Sequence, residues 1–200
     1  MTEDIPEMID AVFDISGGTL PATYPFALWN ALAQHIPELA TEASVGVIPL
    51  RTAASEAGML LPKRAKLVLR LPVTHAAHSS SLSGQRLDIE GSALQLGSGK
   101  LRQIQPYSTL HAHLVVGTEN EADFLKGITT RLNELGIEGK LICGMRNSMQ
   151  APDRTIHGYS LVVHDLKPDA SLRLQYTGIG ADRQYGCGIF VPYKVISDLD

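Results

Sequence analysis

Seven histidines are the groups in this chain best suited to moving protons near neutral pH, where the imidazole titrates. His111 and His113 fall on one face of an expected strand, His157 and His164 on or beside another, and His75 and His78 on a weak helix. Each of these reads first as a surface or hydrogen-bonded core residue. His35 stands apart. It closes the run Leu28-Trp29-Asn30-Ala31-Leu32-Ala33-Gln34-His35, just before Ile36-Pro37 stops a helix. The negative end of the helix favours an imidazolium there, so His35 suits an acid as well as a base role. The structural alternative is a histidine that only bonds the last carbonyls of its helix. The histidines lack HExxH spacing and the acids form no tight cluster, so no metal is expected.

The second chemical feature is Gly178-Ile179-Gly180-Ala181-Asp182-Arg183-Gln184-Tyr185-Gly186-Cys187-Gly188. Paired glycines admit positive φ and close approach of another backbone, and successive N–H groups in such turns form anion-binding concavities. Arg183 offers a guanidinium for phosphate and Tyr185 a ring for a base. A Walker loop is excluded, because no Lys-Ser or Lys-Thr pair follows Gly188. A dinucleotide fingerprint is excluded too, since Arg183 stands where its third glycine belongs and only 12 residues follow Gly188. The structural alternative is a surface turn. A second basic group, Arg51, Lys63, Arg64, Lys66 and Arg70, reads equally as a track for an RNA backbone and as a solvated strand face.

These residues need elements to hold them. With 200 residues, 44% hydrophobic and 19% charged, the chain can bury a sizeable core. No apolar run is long enough to span a bilayer, and the acidic Met1-Thr2-Glu3-Asp4 is unlike a secretion signal. Two cysteines without ligand spacing fit a reducing cytoplasm, and Cys143 and Cys187 read as buried thiols. The net charge of −4 is unevenly spread: residues 1–50 hold seven acids and no Lys or Arg. The remainder carries 17 basic groups against 14 acids, a balance of +3 that permits RNA binding without demanding it.

Ile9 to Ile15 alternates as a strand, and Pro25 opens a helix whose stripe of Phe26, Leu28, Trp29, Leu32 and Ile36 ends at Pro37. Strands are expected over Val45–Leu50 and Ala65–Leu71, separated by a loop at 51–62. A short helix near 73–82 and a hairpin turning at Gly91 complete βαββαβ, with a junction at Gly97-Ser98-Gly99. The order repeats as a strand from Thr109 to Val116 and a helix from Glu121 to Leu135 capped by Gly136. Strands at Lys140–Met145 and Thr155–His164, a helix at Pro168–Tyr176, the glycine loop and a strand at Gly186–Val191 follow. The expected class is α+β, two tandem ferredoxin-like domains over 1–97 and 98–200.

The glycine pattern resembles the C-terminal signature of the CRISPR repeat-processing endoribonucleases of the repeat-associated RNA-binding (RAMP) superfamily. The tail Gly186-Cys187-Gly188-Ile189-Phe190-Val191-Pro192-Tyr193-Lys194 is similar to that of the myxobacterial-type variant. So are Phe13-Asp14-Ile15-Ser16, Ala65-Lys66-Leu67-Val68-Leu69-Arg70-Leu71-Pro72, Ala112-His113-Leu114-Val115-Val116 and Lys140-Leu141-Ile142-Cys143-Gly144. The resemblance implies metal-independent cleavage of CRISPR precursor RNA within each repeat, with no cofactor, leaving a 2′,3′-cyclic phosphate and a 5′-hydroxyl. His35 matches the family's general-base histidine at the end of the first helix. Ser148, in the loop after the Cys143 strand, or Tyr24, before the first helix, would position the 2′-hydroxyl. Arg146 is the nearest cation for the phosphorane. Arg183, Tyr185, Gly178, Gly180, Gly186, Gly188 and the cluster Lys63, Arg64, Lys66 and Arg70 would hold RNA. The implied partners are stem-loop repeat RNA and other effector-complex subunits, in the cytoplasm. One departure is Ile48, where many relatives carry a second histidine. Two rival functions remain open: a non-catalytic RNA-binding subunit, and a ferredoxin-like small-molecule enzyme or interaction domain.

Overall fold

The computed structural model describes residues 5–193; the acidic lead at 1–4 and the tail from Lys194 lie outside them. Strand β1 (Met8–Gly17) passes through β2 (Thr19–Leu20) into helix α1 (Tyr24–His35) and a single turn, α2 (Pro37–Ala40). Then come β3 (Gly46–Val47), the hairpin β4 (Ala53–Ser55) and β5 (Gly58–Leu60), and β6 (Lys66–Pro72). A 3₁₀ helix (Val73–Leu82) precedes the hairpin β7 (Arg86–Ile89) and β8 (Ser92–Gln103). The second half runs β9 (Leu110–Val116), α3 (Glu121–Glu134), β10 (Lys140–Gln150) and β11 (Thr155–His164). It ends with α4 (Pro168–Thr177), a 3₁₀ turn (Arg183–Tyr185) and β12 (Val191–Pro192).

The main sheets are ordered β3-β6-β1-β8-β7 and β10-β11-β9-β12. With the added edge strand β7 set aside, each puts its first strand between its third and fourth, the ferredoxin-like arrangement that βαββαβ requires. Local chemistry sets the boundaries. Pro25 and Pro168 sit in the first turns of α1 and α4, where a missing N–H costs nothing. The Asn120 side chain accepts from Asp123 N–H at 3.1 Å to cap α3. Gly136, at φ +63°, ends that helix, while Ile137 N–H reaches back to the Leu132 carbonyl at 2.9 Å. Leu67, Leu69 and Leu71 of β6 join Ala11, Phe13 and Ile15 of β1 under Leu28 and Leu32 of α1. A second core gathers Val115, Tyr159, Leu161 and Val163 beneath α3 and α4.

Three expectations are corrected. Residues 51–62 are not all loop: β4 and β5 pair with each other and with β2 in a small third sheet. The junction at Gly97-Ser98-Gly99 lies inside β8, which pairs with β1 as far as Gln103 opposite Ile9. A Cβ at Gly99 would lie 2.5 Å from the Phe13 ring, so this glycine allows close packing rather than marking a linker. The last strand is short, because positive φ at Gly186 and Gly188 keeps them out of the sheet.

Candidate active site and nucleic-acid interface

All four loop glycines adopt positive φ, from +63° at Gly178 to +93° at Gly186, and Asp182 joins them at +64°. The loop is folded onto the protein. Gly188 N–H donates to the Leu114 carbonyl at 2.8 Å, Ile179 N–H to Gly188 at 3.0 Å and Cys187 N–H to Asp182 at 3.1 Å. A Cβ at Gly188 would run into the Ile179 carbonyl, and one at Gly186 would press on Pro49 and the Val47 carbonyl. Of the four glycines only Gly180 is exposed, with nothing nearer than 3.7 Å to an added Cβ. Phe26, Leu114, Ala151, Ile156 and Cys187 form a cluster with Tyr185 against it, joining α1 to the second sheet. Burial, with Asp182 nearby, pushes the Cys187 thiol up to about 12. Cys143 is half-buried rather than buried.

The structure withdraws two arginines from the expected RNA surface. Arg70 is 1% exposed. Its Nε and Nη2 donate to Asp10 at 2.8 and 3.2 Å, and its Nη1 to the Phe190 and Gln175 carbonyls at 2.7 and 3.2 Å. Arg183, 7% exposed, donates to the Thr177 and Tyr176 carbonyls. Both guanidiniums satisfy the free carbonyls at the negative end of α4, one arriving from each half of the chain. Burial, with Arg70 as a second cause, brings the Arg183 pKa down to about 10, so it remains a cation at neutral pH. Neither is free to bind phosphate. Tyr185 is half-buried, its ring 4.2 Å from that of Phe26 at 46°.

Lys63, Arg64 and Lys66 are exposed, and Lys66 pairs with Asp14. The Lys66 ammonium holds the Asp14 carboxyl below its usual range, with Lys100 a weaker cause, so two lysines flank one acid on the open face of the first sheet.

The three catalytic candidates are not brought together. His35 is the last residue of α1 and half-buried, and its carbonyl accepts from Ser81 Oγ at 2.8 Å. The same hydroxyl donates to the His78 carbonyl at 3.0 Å, which fastens the end of α1 to the 3₁₀ helix. Tyr24 is the first residue of α1, about 16 Å from His35 along the axis at roughly 1.5 Å per residue. Burial raises the Tyr24 phenol pKa, partly offset by a hydrogen bond with the Leu50 backbone. Ser148 lies in β10 rather than a loop, directly opposite His157. Arg146, on the same face, pairs with Glu119 at 3.1 Å, and its cross-strand partner Tyr159 stacks on Phe124 of α3. The alternating Met149 and Ile156 pack with Phe26 of α1. Ser148 and α1 therefore lie on opposite sides of the second sheet.

Sequence reasoning missed the Ser81 link between His35 and His78, and the pairing of Arg154 with Asp182. Both join residues far apart in the chain that no local motif connects.

Comparison with known proteins agrees with this architecture. The family model described as "Cas6 Crispr" matches residues 9–195. The CRISPR-associated endonuclease Cas6 of Myxococcus xanthus (strain DK1622) is 32% identical over 186 residues, 92% of this chain and 81% of that protein. A RAMP protein described as binding different RNA substrates superposes with a TM-score of 0.67 at 10% identity, over 91% of this chain and 98% of that one. Thermus thermophilus Cse3, solved with an RNA representing a pre-cleavage complex, gives 0.54 at 14% identity, over 92% and 98%. By the extent of the family match and the identity shared with the Myxococcus protein, the chain belongs to the Cas6 family.

Proposed function

We propose that this protein is an endoribonuclease that cuts CRISPR precursor RNA within its repeats without a metal ion. The observation that carries this is the likeness to the Myxococcus CRISPR endonuclease along nearly the whole chain. A half-buried histidine at the end of α1, where that chemistry needs a proton acceptor, supports it. Neutral His35 takes the proton from a 2′-hydroxyl, whose oxygen attacks the adjacent phosphorus. The bond from phosphorus to the 5′-oxygen breaks as that oxygen takes a proton from solvent water, giving a 2′,3′-cyclic phosphate and a 5′-hydroxyl. With Arg70 and Arg183 committed inside the fold, the exposed Lys63, Arg64, Lys66 and Lys100 carry the RNA backbone.

The test is repeat RNA incubated with wild type and His35→Ala, each with and without EDTA. General acid–base groups contribute about 10²–10⁴ in rate, so His35→Ala loses cleavage while keeping repeat affinity within a few-fold. Activity abolished by EDTA and restored by magnesium overturns the metal-free chemistry; an active His35→Ala enzyme overturns the role of His35. The separation of His35, Tyr24 and Ser148 favours a second reading, a Cas6-like subunit that binds repeat RNA without cutting it. Tight repeat binding by wild type with no product would establish that reading instead.

A further inference from the structure

Where α1, the β10–β11 turn and the glycine loop meet, an open cavity of about 170 Å³ is lined by Phe26, Asn30, Pro152, Asp153, Arg154 and Tyr185. It lies well below the roughly 300–1,000 Å³ of sites for drug-sized ligands. Its lining is of three kinds. The tilted Phe26–Tyr185 pair gives an aromatic wall, of which Tyr185 is the half-buried member. Asn30, exposed on α1, offers an amide with both donor and acceptor, and Asp153 a carboxylate that only accepts. Arg154 is pinned by the largely buried Asp182, whose left-handed backbone belongs to the glycine loop.

We infer that this cavity receives a single unpaired nucleobase of the bound RNA; the inference rests on the RNA-processing function proposed above. The base lies against the Tyr185 ring, as unstacked bases do in single-strand readers, with Arg154 beside its phosphate. The base edge meets Asn30 and Asp153. A carboxylate accepts from the exocyclic amino group of adenine, cytosine or guanine. Uracil offers a carboxylate only its N3–H, flanked on both sides by carbonyl oxygens that repel the carboxylate, so uracil is disfavoured. The glycine loop thus serves RNA indirectly, by setting Tyr185 and Asp182 rather than by touching phosphate with its glycines.

Fluorescence anisotropy of labelled A6, C6 and U6 ribo-oligomers, beside the whole repeat RNA, tests this. Wild type binds A6 or C6 at least fivefold more tightly than U6. Asp153→Asn, an exposed change that leaves the fold intact, narrows that gap. Asn30→Ala and Tyr185→Leu each weaken the preferred hexamer by about tenfold, on the scale of one lost base stack or edge contact. Equal affinities for the three hexamers, or Asn30→Ala and Asp153→Asn proteins that match wild type on hexamers and repeat alike, overturn the base site while leaving repeat processing standing. A wild type that binds no RNA overturns both.

Discussion

Replacing Arg70 by methionine separates a structural arginine from an RNA-binding one. The side chain is 2% exposed and its partner Asp10 4%, so the pair is fully desolvated. Methionine keeps the hydrophobic stem but leaves the Asp10 carboxylate with Arg102 alone, at 3.3 Å and itself 60% exposed. It also strips the Phe190 and Gln175 carbonyls of their donor. Breaking a buried pair from one side costs about 3–5 kcal/mol, and each orphaned polar group about 1–3 kcal/mol more. Arg102 recovers part of the first figure, so even the low end of these ranges gives an overall loss of at least about 4 kcal/mol. At about 2–4 °C per kcal/mol for a protein of this size, the melting temperature falls by at least roughly 8–16 °C. Urea unfolding followed by circular dichroism measures the free energy, and thermal unfolding the melting temperature. The double variant Arg70→Met with Asp10→Leu should regain the ionic part but not the carbonyl part, ending between wild type and the single variant. A single variant within about 1 kcal/mol of wild type, but with weaker repeat binding and a shallower salt dependence, would refute the buried-clamp account and return Arg70 to the RNA surface.

Three further outcomes can be checked on the unliganded protein. Gly188→Ala combines a φ of +66° with a clash against the Ile179 carbonyl and should prevent stable folding. Gly180→Ala, at +84° but meeting only ordinary van der Waals contacts, should cost only about 1 kcal/mol by thermal denaturation. A thiol reagent at pH 8 should modify half-buried Cys143 first and reach Cys187 only on unfolding, because burial both shields the Cys187 thiol and holds it protonated. Modification of both at equal rates would show that the glycine loop opens readily.

Much of the framework was legible wherever one residue carries the signal alone. Pro25 and Pro37 bracket α1, Pro168 and Gly178 bracket α4, and Gly136 stops α3. The period-two pattern of Leu67, Leu69 and Leu71 gave the correct core face. The other face misled: Arg70 alternates like a solvated residue, and only the second half of the chain, folding over it, makes it buried. Ser148 read as a loop residue because β10 slips register between Cys143 and Arg146, and a bulge breaks the alternation that marks a strand. The glycine loop announced its positive φ values but not its direction, since the same torsions serve a loop wrapped around a ligand and one wrapped onto its own protein. The catalytic candidates were the least legible, for their proximity depends on which side of a sheet each faces.

Arg70 reaches from the first sheet to the end of α4 and to Phe190, and that restrains the angle between the two sheets. A hinge that parted them would leave the Phe190 and Gln175 carbonyls without their Arg70 donor and would open the Asp10–Arg70 pair of the first sheet to water. Domain closure around a ligand generally uses a few loop residues that absorb the motion while the interface stays cheap to break. Here opening the interface would expose a buried ion pair, so the two sheets would keep their relation while binding the RNA proposed as substrate. Fitting then falls to the RNA: the transcript must bend, splay or unpair to match a surface that does not yield. Discrimination between repeat and non-repeat transcripts would then be set by how readily each RNA deforms, as well as by the bases it presents.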